Sequence, residues 1–188
     1  VIFVVVFTAI LISNIYISSS LDEDSSGINL AGRQRMLSQR LTKSVNSLEN
    51  SLKAGDMVSA QSAQAEVKLA FNLFNDTLAA FRQGGVTTGA TGEPVELSAI
   101  PPGPIQEHVK RAGEIWESMS SDILIVATDS LSNLDPARVE QTADLLLANN
   151  LELLKLMNLL TVGLEEGAQA KASTLQWILW GALVLVFI

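Results

Sequence analysis

A chain of 188 residues with 12 Lys and Arg against 20 Asp and Glu carries a net charge of −8, which excludes a protein that coats nucleic acid or an anionic membrane surface, since both need dense positive charge on one face. It has no Cys and one His, so a disulfide framework and thiolate metal sites are excluded and little remains for a metal or an acid–base pair. No cofactor is expected, and the absence of Cys fits an oxidising compartment such as the periplasm.

The apolar residues gather at the two ends. Residues 1–17 read VIFVVVFTAILISNIYI, uncharged, with Thr8, Ser13 and Asn14 as the clearly polar side chains, close to the shortest run that spans a bilayer as a helix. A secretory signal peptide is the competing reading, but the run exceeds the usual apolar region and brings no basic flank or small-residue cleavage site. Residues 175–188, LQWILWGALVLVFI, form a second uncharged run. The expectation is two membrane-spanning helices, 1–17 and 175–188, each cut short with the cytoplasmic parts absent, enclosing one domain over 18–174. Tyr16 at one boundary and Trp177 and Trp180 at the other fall where amphipathic rings sit among headgroups.

Between these runs apolar residues recur every three and four positions, the period of helices that bury one stripe. The first predicted helix carries Leu30, Leu37, Leu41, Val45, Leu48 and Leu52 and ends at Gly55, with Asp56 placed to cap the next. The second carries Ala60, Ala63, Val67, Ala70, Phe74, Leu78 and Phe81 at near-heptad spacing and ends at Gly84–Gly85. Residues 84–104 hold five of the twelve Gly and four of the five Pro, which predicts a long loop and no strand. The third helix carries Ile105, Val109, Ala112, Trp116, Met119, Ile123 and Val126; the SNLDP run then breaks the pattern, with Asp135 as cap and Pro136 at the first position of the fourth. That helix carries Val139, Ala143, Leu146, Leu153, Met157, Leu160 and Leu164 and runs without a breaker into the second apolar run. The expected fold is all-α: an antiparallel up-down-up-down four-helix bundle flanked by two transmembrane helices. Its first and last helices, about 55 and about 58 Å long at 1.5 Å per residue, are matched and emerge together.

One segment stands out from an acidic chain. Ile28 to Lys43, INLAGRQRMLSQRLTK, carries Arg33, Arg35, Arg40 and Lys43 without an acid. With the core stripe near Leu37, Leu41 and Leu48, a turn of 100° per residue sets Arg35 roughly 125° from the core centre. The same flank collects Ile28, Ala31, Gly32, Thr42 and Asn46, with Gln39 close by, a mixture suited to close approach of a second helix. If that partner is the same helix of a second copy, two-fold symmetry sets Arg35 opposite itself, and a small planar oxyanion between the guanidinium forks would relieve their repulsion. Gly32 would let backbone approach the ligand. Arg33 and Arg40 fall on the other flank, roughly 75° and 95° from the core centre, and are less central; Arg40 stays in the candidate set with Arg35, Gly32, Ala31, Ile28 and Gln39. Periodicity alone favours a plain solvated face with surface ion pairs.

The run from Ile28 to Arg40, INLAGRQRMLSQR, resembles the signature segment of PilJ-type sensor domains, which are related to NarX-type nitrate and nitrite sensors. Asn150, Leu153, Leu154, Met157, Asn158 and Glu165 resemble the pattern near the end of these domains. The resemblance implies a periplasmic four-helix bundle held in the bacterial inner membrane, commonly a homodimer. In it the arginine at the position of Arg35 contacts nitrate across the paired first helices. It also implies a chemoreceptor, with sensor kinases and cyclases as the other outputs such domains serve. This sequence differs from the NarX-type pattern in having Arg33-Gln34 before the key arginine and Leu37-Ser38-Gln39 after it. Another ligand, or a mechanical or protein-sensing role linked to pili with no small ligand, therefore stays open.

Other polar residues carry less. His108 is alone, without a Cys or second His to share a metal, and reads as surface or packing. Asn150 falls in a heptad slot between Leu146 and Leu153, where an amide can set register, and its neighbour Asn149 reads equally well as surface. Trp116 reads as a core residue rather than a stacking platform. Glu165 and Glu166 are consecutive on a helix and do not face each other, and no nucleophile–base pair is present, so an enzyme is not expected.

Overall fold

The computed structural model describes residues 2–186. Val1, Phe187 and Ile188 lie outside the described residues, as do several side chains of the two apolar runs, those of Ser13 and Tyr16 among them. In chain order the elements are α1 (Ile2–Ala54), α2 (Met57–Gln83), β1 (Gly85–Thr88), β2 (Pro94–Leu97), α3 (Pro104–Thr128) and α4 (Pro136–Val186). The first apolar run and the first amphipathic segment form one continuous helix of 53 residues, and the last two form one of 51. No proline interrupts either helix after its first position.

Local chemistry sets the ends. Gly55 takes φ +72° after α1, a conformation other residues adopt at a cost. Asp56 then accepts from Ser59 N at 3.0 Å to open α2. Gly84, at φ +76°, closes α2 through its N–H to Ala80 O. Asp135 accepts from Ala137 N at 2.9 Å as α4 begins on Pro136.

The helices share one core. α1 packs on α2 and α4, and α3 packs on the same two helices from the other side. Neighbours run antiparallel: Lys53 meets Glu140 at one end of the α1–α4 pair and Asp24 meets Lys171 at the other. Arg111–Glu152 and Asp122–Arg138 do the same for α3–α4. The core contains the expected stripes, from Leu37, Leu41 and Leu48 through Phe74 and Phe81 to Met119, Leu153 and Leu160. Trp116 lies against Phe71 and Phe74, with ring centroids 5.3 and 4.5 Å away, and donates from Nε1 to Asn75 Oδ1 at 3.0 Å. It is a packing residue with its one polar atom satisfied.

The expected long loop is in fact a β-hairpin. β1 and β2 pair antiparallel, with Gly85 opposite Leu97 and Thr88 opposite Pro94. The β-branched residues Val86, Thr87, Thr88 and Val95 suit the pleat, and Thr87 and Leu97 point inward onto the helices. Pro94 begins its strand, where a missing donor is tolerated. Two four-residue strands are marginal alone, so docking holds them: Thr87 Oγ1 meets Thr77 Oγ1 of α2 at 2.9 Å, and Ile100 N donates to Phe81 O.

Large apolar side chains are exposed at the two chain ends, Phe7, Leu11, Ile12 and Ile15 on α1 and Trp177, Ile178, Trp180 and Val184 on α4. Among the described residues one helical stretch, Pro136–Ile178, is long and apolar enough to cross a membrane, by length and composition.

Candidate ligand site

The four cations of the Ile28–Lys43 segment divide into two that the fold engages and two that have no partner among the described residues. Arg33 turns toward the hairpin. Its Nη1 donates to Gly89 O at 2.6 Å, and its Nη2 donates to Thr88 O and, at 3.4 Å, to Thr77 Oγ1. Its Nε is enclosed without a partner. Burial pushes the guanidinium below its ordinary pKa, and the carboxylate of Glu93 opposes that shift. Arg40 lies along α2, where Nε donates to Glu66 Oε2 at 2.7 Å and Nη2 reaches the same oxygen. Arg35 and Lys43 are exposed and make no hydrogen bond or ion pair among the described residues.

Helix phase then places Arg35. Lys53 and Glu140 touch at 3.3 Å on the outer side of the α1–α4 seam. Five whole turns, about 18 residues at 3.6 per turn, lead back from Lys53 to Arg35 on α1 and forward from Glu140 to Asn158 on α4. Because the helices are antiparallel, Arg35 and Asn158 arrive level on the same face. Along that face α4 exposes Leu147 at 55 % and Leu151 at 78 %, followed by the half-buried Leu154 and the exposed Asn158 and Val162. Arg35 is a free cation beside an uncovered apolar stripe.

The other candidates divide around it. Gln39 is exposed, and Ile28 and Asn46 are half-buried on the Arg35 side of α1. Ala31 is fully buried in the core, because α4 covers that flank. Thr42 is also buried, its hydroxyl donating to Ser38 O at 3.0 Å. Gly32 lines a cleft of about 620 Å³ between α1 and the hairpin with Asn29, Arg33, Met36, Glu93 and Val95, outside which Arg35 lies. A Cβ at Gly32 would meet nothing within 4 Å. Arg40 is on the α2 side, tied to Glu66.

Three features were not anticipated from sequence. Gln34, next to two arginines, is fully buried and donates from Nε2 to Phe74 O at 2.9 Å, leaving its Oε1 without a partner. Arg33 serves as the clasp of the hairpin. The α4 stripe at 147, 151, 154 and 158 carried a detectable signal, a second heptad running from Glu140. Asn150, in its heptad slot, is half-buried with Oδ1 enclosed and unpaired, and Asn149 is half-buried as well and bonds back to Leu145 O. His108 is half-buried, and Glu165 and Glu166 are both exposed.

The family model described as PilJ, the N-terminal region of type IV pili methyl-accepting chemotaxis transducers, matches residues 16–146, more than half of the chain. No curated protein and no solved structure matches it.

Proposed function

The chain belongs to the PilJ family of chemotaxis-transducer N-terminal regions, and from that premise we propose that it is the ligand-sensing, membrane-anchored module of a bacterial chemoreceptor. In this reading the four helices form an up-down-up-down bundle in the periplasm. The ends of α1 and α4, whose exposed apolar side chains have no protein cover, cross the inner membrane side by side. Two copies pair through the α1–α4 face, and a small planar anion such as nitrate, of the kind NarX-type sensors bind, sits between two Arg35 side chains.

The observation that carries the proposal is the state of Arg35: an exposed guanidinium with no partner among the described residues, on the face along which α4 exposes Leu151 and Leu147. Pairing that face with its copy would bury the leucines and bring two like charges together, so the pair is incomplete until an anion enters. A planar oxyanion offers oxygens to both forks at once.

Calorimetric titration of the full chain in lipid nanodiscs with nitrate, nitrite, sulfate and chloride tests it. The expected result is one nitrate or nitrite per two chains, lost in Arg35→Ala and weakened about tenfold or more in Arg35→Lys, because an ammonium cannot make the two-pronged contact. Binding undiminished in Arg35→Ala would overturn the site. No binding of any of the four would favour the mechanical, pilus-linked alternative, which the family's description already associates with type IV pili.

A further inference from the structure

Arg33 clasps the hairpin, but the clasp leaves its charge unanswered. A guanidinium has five N–H donors. Three bonds run from Nη1 and Nη2 to two carbonyls and a hydroxyl, all neutral, and Nη1 keeps its second N–H. No carboxylate pairs with Arg33 among the described residues, and Nε is enclosed without an acceptor. A cation drawn out of water with no counter-ion is unfavourable, and this burial is what lowers its pKa. A neutral amide would hold such carbonyls at less cost, so the charge itself needs a reason.

The same side chain lines the cleft of about 620 Å³ between α1 and the hairpin. Asn29, Arg33 and Met36 recur along α1 at spacings of four and three, which sets them on one stripe, and Glu93 and Val95 line the cleft from the hairpin. Asn29 is exposed and its amide makes no hydrogen bond among the described residues. Met36 is 53 % exposed and Val95 half-buried, so apolar surface borders the polar groups. Glu93 is ionised at neutral pH, since Thr91 holds its carboxyl below the ordinary value. Both hydrogen bonds from Thr91 go to Oε2, which leaves Oε1 able to accept. A cation and a carboxylate thus border one cleft without forming an ion pair.

We propose that this cleft binds an apolar α-amino acid, its carboxylate on Arg33 and Asn29, its ammonium on Glu93 and its side chain on Met36 and Val95. The charges select a zwitterion. A simple anion would meet Glu93 and a simple cation would meet Arg33, each a like charge in the same cleft, whereas a ligand with both charges answers the two at once. An apolar side chain would cover Met36 and Val95, removing their surface from water. The volume is in the range of clefts that hold small organic molecules. This site is complete within one chain and does not rest on pairing of the Arg35 face. Ligand here would tie the hairpin to α1 two residues from Arg35, giving that helix a second chemical input.

Titration of the full chain in nanodiscs with L-leucine and L-methionine tests the proposal, beside 4-methylpentanoate, which lacks the ammonium, and 3-methylbutylamine, which lacks the carboxylate. At least one of the two amino acids is expected to bind, one per chain, with a Kd about tenfold or more tighter than either analogue. Glu93→Gln should weaken the amino acid about tenfold and leave 4-methylpentanoate unchanged, a contrast that a disrupted hairpin would not produce. A Cβ at Gly32 meets nothing within 4 Å, so Gly32→Leu should fill the cleft and abolish binding while keeping or raising the denaturation midpoint, because leucine favours a helix over glycine. Arg35→Ala should bind the amino acid as the parent does. The proposal is overturned if neither amino acid binds, if either analogue binds as tightly, if binding survives Gly32→Leu, or if Arg35→Ala abolishes the signal and so moves it to the α1–α4 face.

Discussion

Arg33 and Arg35 stand two residues apart on α1, and the intervening rotation of about 200° sends them into opposite environments. Arg33 supplies donors to two hairpin carbonyls that have no other side-chain donor among the described residues, so Arg33→Ala should destabilise the protein by about 1–3 kcal/mol and speed amide exchange over residues 85–97. Arg35→Ala, with no partner among the described residues to lose, should stay within about 0.5 kcal/mol of the parent. Urea denaturation of both variants measures the contrast; equal costs would contradict the placement. The exposure of Arg35 was readable from its phase against Leu37, Leu41 and Leu48. The role of Arg33 was not, because its acceptors are backbone carbonyls that any residue supplies. Ala31 shows the matching limit: a bundle helix has two neighbours, so its buried arc is wider than its apolar stripe, and α4 covers a flank that a single-stripe reading leaves open.

The helices were readable as elements because their stops are chemical. Gly55, Asp56, Gly84 and Asp135 each act as the sequence predicts. The hairpin was hidden because Gly and Pro are concentrated over residues 84–104 while its strands are four residues long, too short for alternation to register. Its tip depends on Glu93, whose carboxylate accepts from Thr91 Oγ1 at 2.5 Å and Thr91 N at 2.9 Å. These hydrogen bonds hold its pKa below the ordinary carboxylate value. A depressed folded pKa gives stability that is complete above the unfolded value, about 4.3 for Glu, and lost as pH falls through the folded one. The parent should therefore lose more stability than Glu93→Gln between pH 6 and pH 3, read from denaturation midpoints. Parallel losses in the two proteins would show that Glu93 contributes nothing to the tip. Gly89 belongs to the same device: a Cβ there would meet the Glu93 carboxylate.

At the scale of the whole molecule, α1 and α4 extend as stiff helices from the apolar termini past the Arg35 face, so a displacement at Arg35 reaches the chain ends without crossing a loop. The outer stripe of α4 went unread because α4 is also apolar at positions next to its core stripe, Leu145 to Leu147 and Leu153 with Leu154, and apolar residues beside a core stripe read as its margin. Leu146 and Leu153 lie inside, as their stripe predicts, and Leu147 and Leu151 lie outside. The central claim is that the outer face pairs with its copy around an anion. The chain contains no Cys, so single cysteines can be read cleanly by disulfide formation in membranes. Gln39→Cys, exposed one turn from Arg35, should cross-link chain to chain and do so faster with nitrate. Asn72→Cys, exposed on α2, should not. Gln39→Cys remaining uncross-linked with and without nitrate, or Asn72→Cys cross-linking at the same rate, would contradict the account.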